Sequence, residues 1–571
     1  MTDPQLPLFA AEAAAPRVAT GRPSAAPFAA WAATAEAVRA TRARREKGRL
    51  VATYLASLDD PGGAVAARWF AGAPFAEADA RTLRIGRATL WPALAALAGV
   101  ERERIAERRL ALGSTAAVAG ELLAGRRGAG LSLGDVHWAF EAIAAARHAA
   151  GREALVRALL AAASGAEAGV LVALLGGGLR IGLLAAQVED AIAAAAAVAL
   201  DAVRDAHALS GDLGEVFRRA RAGTLAETVF AIGRPVGFML AQPKPTPDAV
   251  AAALDAPFVL EAKYDGIRAQ LHVQDNAVRL FSRTREDLTP AFPDLVRAGR
   301  ALGAGLVLDG EVIAVRPDDP ARIAPFRHLQ PRLGRTAPAA ALLREIPVAF
   351  VAFDALAVGG ERIALAPWRE RRSALEEHVP LDVAAPIRLA PFRWASDAAT
   401  VIEAFTAARA TGHEGLVAKD PDAPYAAGRR GGRWLKLKAA AATLDVVVTA
   451  AERGNGRRAA VLSDLTFAVR ASDTDDTLLD VGKAYTGLTD AELVALTATL
   501  ESLVRERRGG WQRVEPAVVL EVTFDLVQAS PRHASGYALR FPRIVRWRMD
   551  KPVSEIDTLS RVRALAGDGW M

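Results

Sequence analysis

Glu261-Ala262-Lys263-Tyr264-Asp265-Gly266-Ile267-Arg268 closes the run FVLEAKY, whose apolar and β-branched residues predict a short strand. The strand delivers a lysine, a glycine turns the chain, and an arginine follows five residues on. Of the 71 lysines and arginines only eight are lysine, leaving 63 arginines: Lys47, Lys244, Lys263, Lys419, Lys436, Lys438, Lys483 and Lys551. In a chain that uses arginine for nearly every cation, each remaining lysine is either a candidate for a task arginine cannot perform or a chance remnant of the composition bias. Lysine can shed its proton and attack as an amine, and arginine effectively cannot. An unperturbed lysine near pKa 10.4 is only about 0.1% neutral at pH 7.4. The carboxylates of Glu261 and Asp265 on either side would favour its charged form further. A nucleophilic Lys263 therefore calls for a positive partner, most simply Mg²⁺. The alternative is an ordinary salt-bridged surface lysine.

Strings downstream supply matching parts. LDGEV, 308–312, brings Glu311 in on a strand, and Phe353-Asp354 ends an apolar strand with an aromatic face for a base. EGLVAK, 414–419, sets Glu414 five residues before Lys419. WLKLK, 434–438, alternates strictly, so Lys436 and Lys438 share one strand face. Two ammonium groups on one face repel unless an anion lies between them, and a triphosphate would meet that need. Near the end, Arg540, Arg543, Arg546, Arg548 and Lys551 form the densest basic run, suited to phosphate or, alternatively, a solvated barrel edge.

Residues 28–225 predict helices, rich in Ala, Leu, Arg and Glu, with glycine-rich breaks. One helix is expected over 131–150, capped at Ser132 or Asp135, and another over 186–207. GGGLRIGL, 176–183, sets Arg180 among glycines, which suits either a phosphate or a plain interhelical turn. QPKPTPD, 242–248, reads as a linker, and the chain then changes to short strands with helices near 370–378 and 397–410. AAAAT, 439–443, marks a second boundary. The remainder is strand-dominated, with one helix capped by Thr489 and Glu492 and running through ELVALTATLESLVRERR, and fits a small barrel of the OB type.

Composition bounds the rest. With no cysteine, disulfides, thiolate nucleophiles and cysteine-held zinc are excluded. The eight histidines show no metal-ligand spacing. Apolar content of 52% supports sizeable cores, but no run reads as a membrane span. The first 27 residues have no basic region ahead of an apolar block and read as a flexible leader, so a cytoplasmic protein is expected. A net charge of +6 over 571 residues says little about nucleic acid; the local basic runs say more.

In order, KYDGIR, SRTRED, LDGEV, FVAFDAL, EGLVAK, WLKLK and RFPRIVRWRMDK resemble the nucleotidyltransferase motifs of ATP-dependent DNA ligases. LSLGDV, GGGLRIGL, SGDLGEVFRRAR and PVGFMLAQP resemble the helical N-terminal domain of the longer bacterial members. The resemblance covers about residues 28–571. It implies a multidomain α+β protein: a helical DNA-binding domain at 28–240, a mixed α/β adenylation domain of the ATP-grasp-like ligase type at 241–440, and an OB-fold β-barrel at 441–571. It implies ATP as AMP donor, Mg²⁺ (or Mn²⁺) as metal, and nicked duplex DNA as partner, in a monomer outside any membrane. Lys263 would carry AMP as a phosphoramidate, pass it to a nick 5′-phosphate, and the 3′-hydroxyl would then expel it.

The resemblance gives other residues roles as well. Glu261 would read adenine and Phe353 would stack on it. Arg268 and Arg283 would lie near the ribose and the 5′-phosphate, Glu311 would hold ribose or metal, and Glu414 would assist the metal. Arg430, Lys436 and Lys438 would contact phosphates, and Arg180, Lys419, Lys483, Arg548 and Lys551 would meet DNA or the leaving group. The cysteine cluster of NAD⁺-dependent ligases is missing, and the arginine bias suggests a GC-rich bacterium in which the enzyme serves repair. An RNA ligase or a capping guanylyltransferase would share the lysine motif but not the helical region. A non-catalytic DNA-binding protein would not need Lys263, Glu311, Glu414 and Lys436 together.

Overall fold

The structure, a computed structural model, describes residues 24–566 apart from 78, 80, 82, 84, 439–441, 455–457 and 459. Most of the expected leader and the AAA of the second boundary lie outside the described residues. Residues 24–27 belong to the fold: Ser24 Oγ donates to Asp59 (2.7 Å), and the Leu133 N–H donates to the Ala26 carbonyl. By contact density the chain divides into two units, residues 1–93 with 125–439, and residues 94–124 with 440–571.

The first unit opens with helices. Phe28–Ala40 and Asp60–Phe70 meet through Phe28, Trp31, Trp69 and Phe70, whose ring centroids lie 5.2–5.9 Å apart. Each such pair adds about 0.5–1.5 kcal/mol beyond its burial. Ser132 caps the helix Leu133–Ala145, with Asp135 completing a capping box, and the helix stops short of the expected residue 150. The single helix expected over 186–207 is instead two, Ala185–Ala196 and Leu200–Ser210. Ala197 takes a left-handed conformation (φ 53°), and the Val198 N–H folds back to the Ala193 carbonyl. Packing ends this helix where an alanine-rich sequence offers no breaker.

Two sheets follow. The first contains β1 (Leu240–Lys244), β2 (Phe258–Lys263), β9 (Phe392–Ala395), β10 (Gly415–Lys419) and β11 (Arg430–Lys438), in the order β1-β11-β10-β2-β9. β1 runs through part of the expected linker because its backbone pairs in parallel with β11. The second contains β3 (Ile267–Gln274), β4 (Ala277–Ser282), β5 (Leu306–Ala314), β6 (Val348–Val358), β7 (Glu361–Arg362) and β8 (Ile387–Leu389), in the order β4-β3-β5-β6-β7 with β8 beside β6. Helices Trp368–His378 and Ala398–Ala410 cover them near the expected positions. Alternating Leu271, Val273, Leu306, Leu308, Phe350 and Ala352 build the core of the second sheet.

In the second unit the closed OB-fold β-barrel expected for 441–571 does not form. Its strands are β12 (Thr443–Arg453), β13 (Leu462–Arg470), β14 (Leu478–Ala484), β15 (Val504–Arg508), β16 (Trp511–Val514), β17 (Val519–Thr523), β18 (Leu526–Ala529), β19 (Tyr537–Arg540) and β20 (Arg543–Trp547). The sheet runs β14-β13-β12 and then forks. β12 pairs with β17 along Thr443–Val447 and with β16 along Ala450–Glu452. β20 ends one branch and β15 the other, and no ladder joins either to β14 among the described residues. One backbone bond, Ile544 N–H to the Thr486 carbonyl (2.8 Å), is the approach of β20 to the loop after β14. A barrel closes only when its edge strands meet in a ladder, and here β20 and β15 remain edges among the described residues. Thr489 and Glu492 form the expected capping box, but the helix stops at Ser502, and VRERR is β15. No helix among the described residues is long and apolar enough to cross a membrane.

Candidate active site

β10 lies between β2 and β11, and its register aligns the reactive positions. Gly415 pairs with Lys263 on one side and Lys438 on the other, and Val417 pairs with Glu261 and Lys436. Gly415 (φ 151°) is required here, since a Cβ would stand 2.1 Å from the Leu437 carbonyl oxygen. The residue before it, Glu414, places one oxygen, Oε2, 2.8 Å from Lys263 Nζ and 2.5 Å from Lys438 Nζ. The carboxylate facing Lys263 is thus Glu414, and Glu261, two residues away in sequence, faces elsewhere. Gly266 lets the chain turn under the site, because a Cβ there would be 2.3 Å from the Val312 carbonyl oxygen and 2.9 Å from Glu311 Cγ.

These residues line a cleft of about 480 Å³. Lys263, Glu261, Arg268, Arg283, Glu311, Phe353, Lys419, Arg430, Lys436 and Lys438, all expected from the sequence, are on its wall. Burial works against the charge of Glu414, but Lys263 and Lys438 outweigh it and hold the carboxyl below its ordinary range. Burial pushes Asp265 up to about 6, with Glu414 adding to the effect. Burial also pushes Glu311 up to about 8, against the pull of Lys263 and Arg268. Lys436 is lowered, first by burial and then by Lys438, Lys263, Arg430 and Arg283. Glu414 answers Lys263 and Lys438, but among the described residues no carboxylate pairs with Lys436, Arg430 or Arg283, and this set fits a polyanion.

Arg268 is in the cleft but committed. It forms two bonds to Asp309 (2.7 and 3.1 Å), and Tyr425 Oη donates to the same carboxylate (2.6 Å). Its guanidinium also stacks on Phe238, Phe353 and Trp434. Lys419 lies beneath the cleft, 1% exposed, and is paired with Glu261 rather than open to solvent. Four expected residues are elsewhere. Arg180 is exposed (φ 44°) on a loop held from below by Lys47, which donates to the carbonyls of Ile181 (2.6 Å) and Gly182 (3.0 Å). Lys483 is paired with Glu452 (2.7 Å) and Asp464 (3.3 Å). Arg548 and Lys551 both hold Asp445, at 3.0 and 2.7 Å. The sequence reading missed Asp309, Tyr425 and Asp445 as partners. Asp309 stood in a quoted motif, and nothing marked Tyr425.

Three family descriptions match in order: "DNA ligase N terminus" over residues 27–193, "ATP dependent DNA ligase domain" over 238–438 and "ATP dependent DNA ligase C terminal region" over 458–551. The chain belongs to the ATP-dependent DNA ligase family. Its activity is the ATP-dependent joining of nicked DNA by way of adenylylation. A "Probable DNA ligase" of Koribacter versatilis is 40% identical, the match spanning 94% of this chain and 96% of that one. A "Probable DNA ligase" of Opitutus terrae is 39% identical over 97% of this chain, which spans 63% of that relative's length. The solved structure "Pmar-Lig_Pre." has a TM-score of 0.59 at 15% identity, covering 91% of this chain and 99% of that one, a likeness of fold.

Proposed function

We propose that Lys263 is the nucleophile of this ligase and that the cleft binds ATP. Lys263 Nζ attacks the α-phosphorus, a P–N bond forms, the α–β P–O bond breaks, and pyrophosphate leaves with the electron pair. The amine sheds a proton in this step, and Glu414 Oε2, 2.8 Å away, is the nearest base. Arg283, Arg430, Lys436 and Lys438 neutralise the phosphates, Phe353 stacks on the adenine, and Glu261 reads it. Arg268, locked on Asp309, shapes the ribose side of the cleft. AMP then passes to the nick 5′-phosphate, and attack by the 3′-hydroxyl expels it.

Among the described residues no group of three or more His, Cys, Asp or Glu is arranged as a metal site. A Mg²⁺ shared with substrate phosphates needs only one or two carboxylates, the rest of its shell being water and phosphate oxygen. Among the described residues Glu311 lines the cleft without a hydrogen bond or ion pair, and Glu414 Oε2 is buried beside the ammonium groups of Lys263 and Lys438. These two carboxylates fit and would hold the ion. The ion supplies charge neutralisation at the phosphates.

Residues 28–240 would grip DNA through backbone phosphates, Arg180 among the contacts, and 241–440 would perform adenylylation. Lys483, Arg548 and Lys551, from 441–571, would meet DNA or pyrophosphate after exchanging their carboxylates for phosphate oxygens. The observation that carries this reading is Lys263 at a strand end, one carboxylate beside it and, on the cleft wall, Arg283, Arg430 and Lys436 without an ion-pair partner among the described residues. The test is intact mass after incubation with Mg²⁺ and ATP, GTP or NAD⁺ separately, beside Lys263→Ala. A gain of one AMP from ATP alone, lost in the variant and in chelator, is expected. No adduct from any nucleotide, in protein free of bound AMP, overturns it.

A further inference from the structure

The buried pair beneath the cleft has a use that the phosphate chemistry leaves unassigned. Lys419 Nζ sits 2.8 Å from both oxygens of Glu261 and donates to the Phe353 carbonyl at 2.9 Å. Two of its three protons are thereby spent inside the protein, on Glu261 Oε1 and the Phe353 carbonyl. The ammonium is caged by Trp434, Phe353 and Trp368, with ring centroids at 4.4, 4.9 and 5.8 Å. Glu261 is 3% exposed and Lys419 1%, yet both line the cleft wall. No other cation is bonded to Glu261 among the described residues. Below the pair, Arg371 and Asp354, neither exposed, form a second ion pair, and Arg372 donates to the Ala390 carbonyl.

We propose that Lys419 is a positioning residue for base selection: it fixes Glu261 as an acceptor-only carboxylate, which admits a purine bearing a 6-amino group and rejects one bearing a 6-oxo group. The inference rests on the reading that Glu261 meets the base. An ionised carboxylate has no proton to give and about four lone-pair directions to fill. Lys419 takes some of these from below, and the others remain for a donor in the cleft. The exocyclic amine of adenine is such a donor, whereas guanine presents the O6 acceptor there. Two acceptors facing one another in a dry site repel, and a site built to pair a polar group discriminates strongly against an analogue that cannot pair. Without Lys419 the buried carboxyl takes up a proton, as burial already pushes it to do. It can then donate to O6, and the preference relaxes. Lys419 also fixes the Phe353 backbone, so the stacking ring and the base reader are set by one ammonium group.

The experiment measures initial rates of adduct formation on Lys263 from ATP and from GTP, by intact mass, in the full chain. Variants are Lys419→Met, Glu261→Ala, and the double variant Glu261→Gln with Lys419→Met. The double variant leaves no buried unpaired charge and keeps the test alive if Lys419→Met does not fold. The expected result is a fall of about tenfold or more in the ATP:GTP rate ratio for Lys419→Met and for the double variant, with GTP adduct appearing. An unchanged ratio in both, with Glu261→Ala shifting it, overturns the role of Lys419 and leaves Glu261 as the reader. An unchanged ratio in Glu261→Ala overturns the reading of Glu261 and the inference with it. Equal losses for both nucleotides in Lys419→Met mean a merely structural pair and also overturn the inference.

Discussion

The cations of the cleft and those of the C-terminal region are kept in opposite states. Arg283, Arg430 and Lys436 crowd the cleft wall with no carboxylate bonded to them among the described residues. Lys483, Arg548 and Lys551 are each held by acids: Glu452 and Asp464 for the first, Asp445 for the other two, and Asp550 for Arg548 as well. A cation without a counter-ion is set for a polyanion at no cost of exchange. A paired cation must release a carboxylate first, so it binds phosphate only where something else makes up the loss. The first set suits standing nucleotide recognition, and the second suits a contact made at one stage of a cycle.

The largest effect expected from this contrast is at Lys436. Lys436→Met should slow adduct formation from ATP about a hundredfold, read as initial rate by intact mass. A rate within a fewfold of the parent would mean that the unpaired row does not meet the phosphates. Asp445→Asn tests the other side. Asp445 is 13% exposed and holds two cations, so its loss should cost about 1–3 kcal/mol in denaturant unfolding. No loss would show that the C-terminal cations are freer than their geometry says. Arg180, exposed and without an acid among the described residues, belongs with the unpaired set. Arg180→Ala should weaken nick binding and lower the slope of log affinity against log salt by about one. An unchanged slope would leave the loop 176–183 a plain turn.

The smallest effect concerns Glu311. Its pKa is raised from 4.5 to about 8, first by burial. A raised carboxyl contributes stability that is fully present below the unfolded value and is lost as pH climbs through the folded one. In chelator and without nucleotide, Glu311→Gln should therefore gain stability over the parent as pH rises from about 5 to 8. A difference that is flat across that range would show Glu311 ionised throughout.

Local chemistry was the part legible in the sequence. Alternation in WLKLK put Lys436 and Lys438 on one face, and the capping signals at Ser132 and Thr489 started their helices where expected. Long-range pairing was not legible. Lys419 lies 158 residues from Glu261, and Arg548 lies 103 from Asp445, so no spacing pattern links them. Lys419 read as a phosphate or DNA contact because it shares a strand face with the cleft residues, and only the side-chain pairing shows it spent on Glu261. The barrel failed for a similar reason. Periodicity says that a segment is a strand, but whether β14 finds β20 depends on how β12 divides its edge. VRERR kept helical composition after Ser502 and became a strand because β16 lay ready to pair with it.

Glu414 touches two ammonium groups through one oxygen. An amine that has become a phosphoramidate carries no positive charge, so the proposed charging of Lys263 with AMP would leave that oxygen to Lys438 alone. The phosphoramidate also keeps one ionised phosphoryl oxygen, so among these groups two cations and one carboxylate become one cation, that carboxylate and a phosphoryl anion. Between Lys263 and Lys438 the protein thus carries a charge record of whether it is loaded.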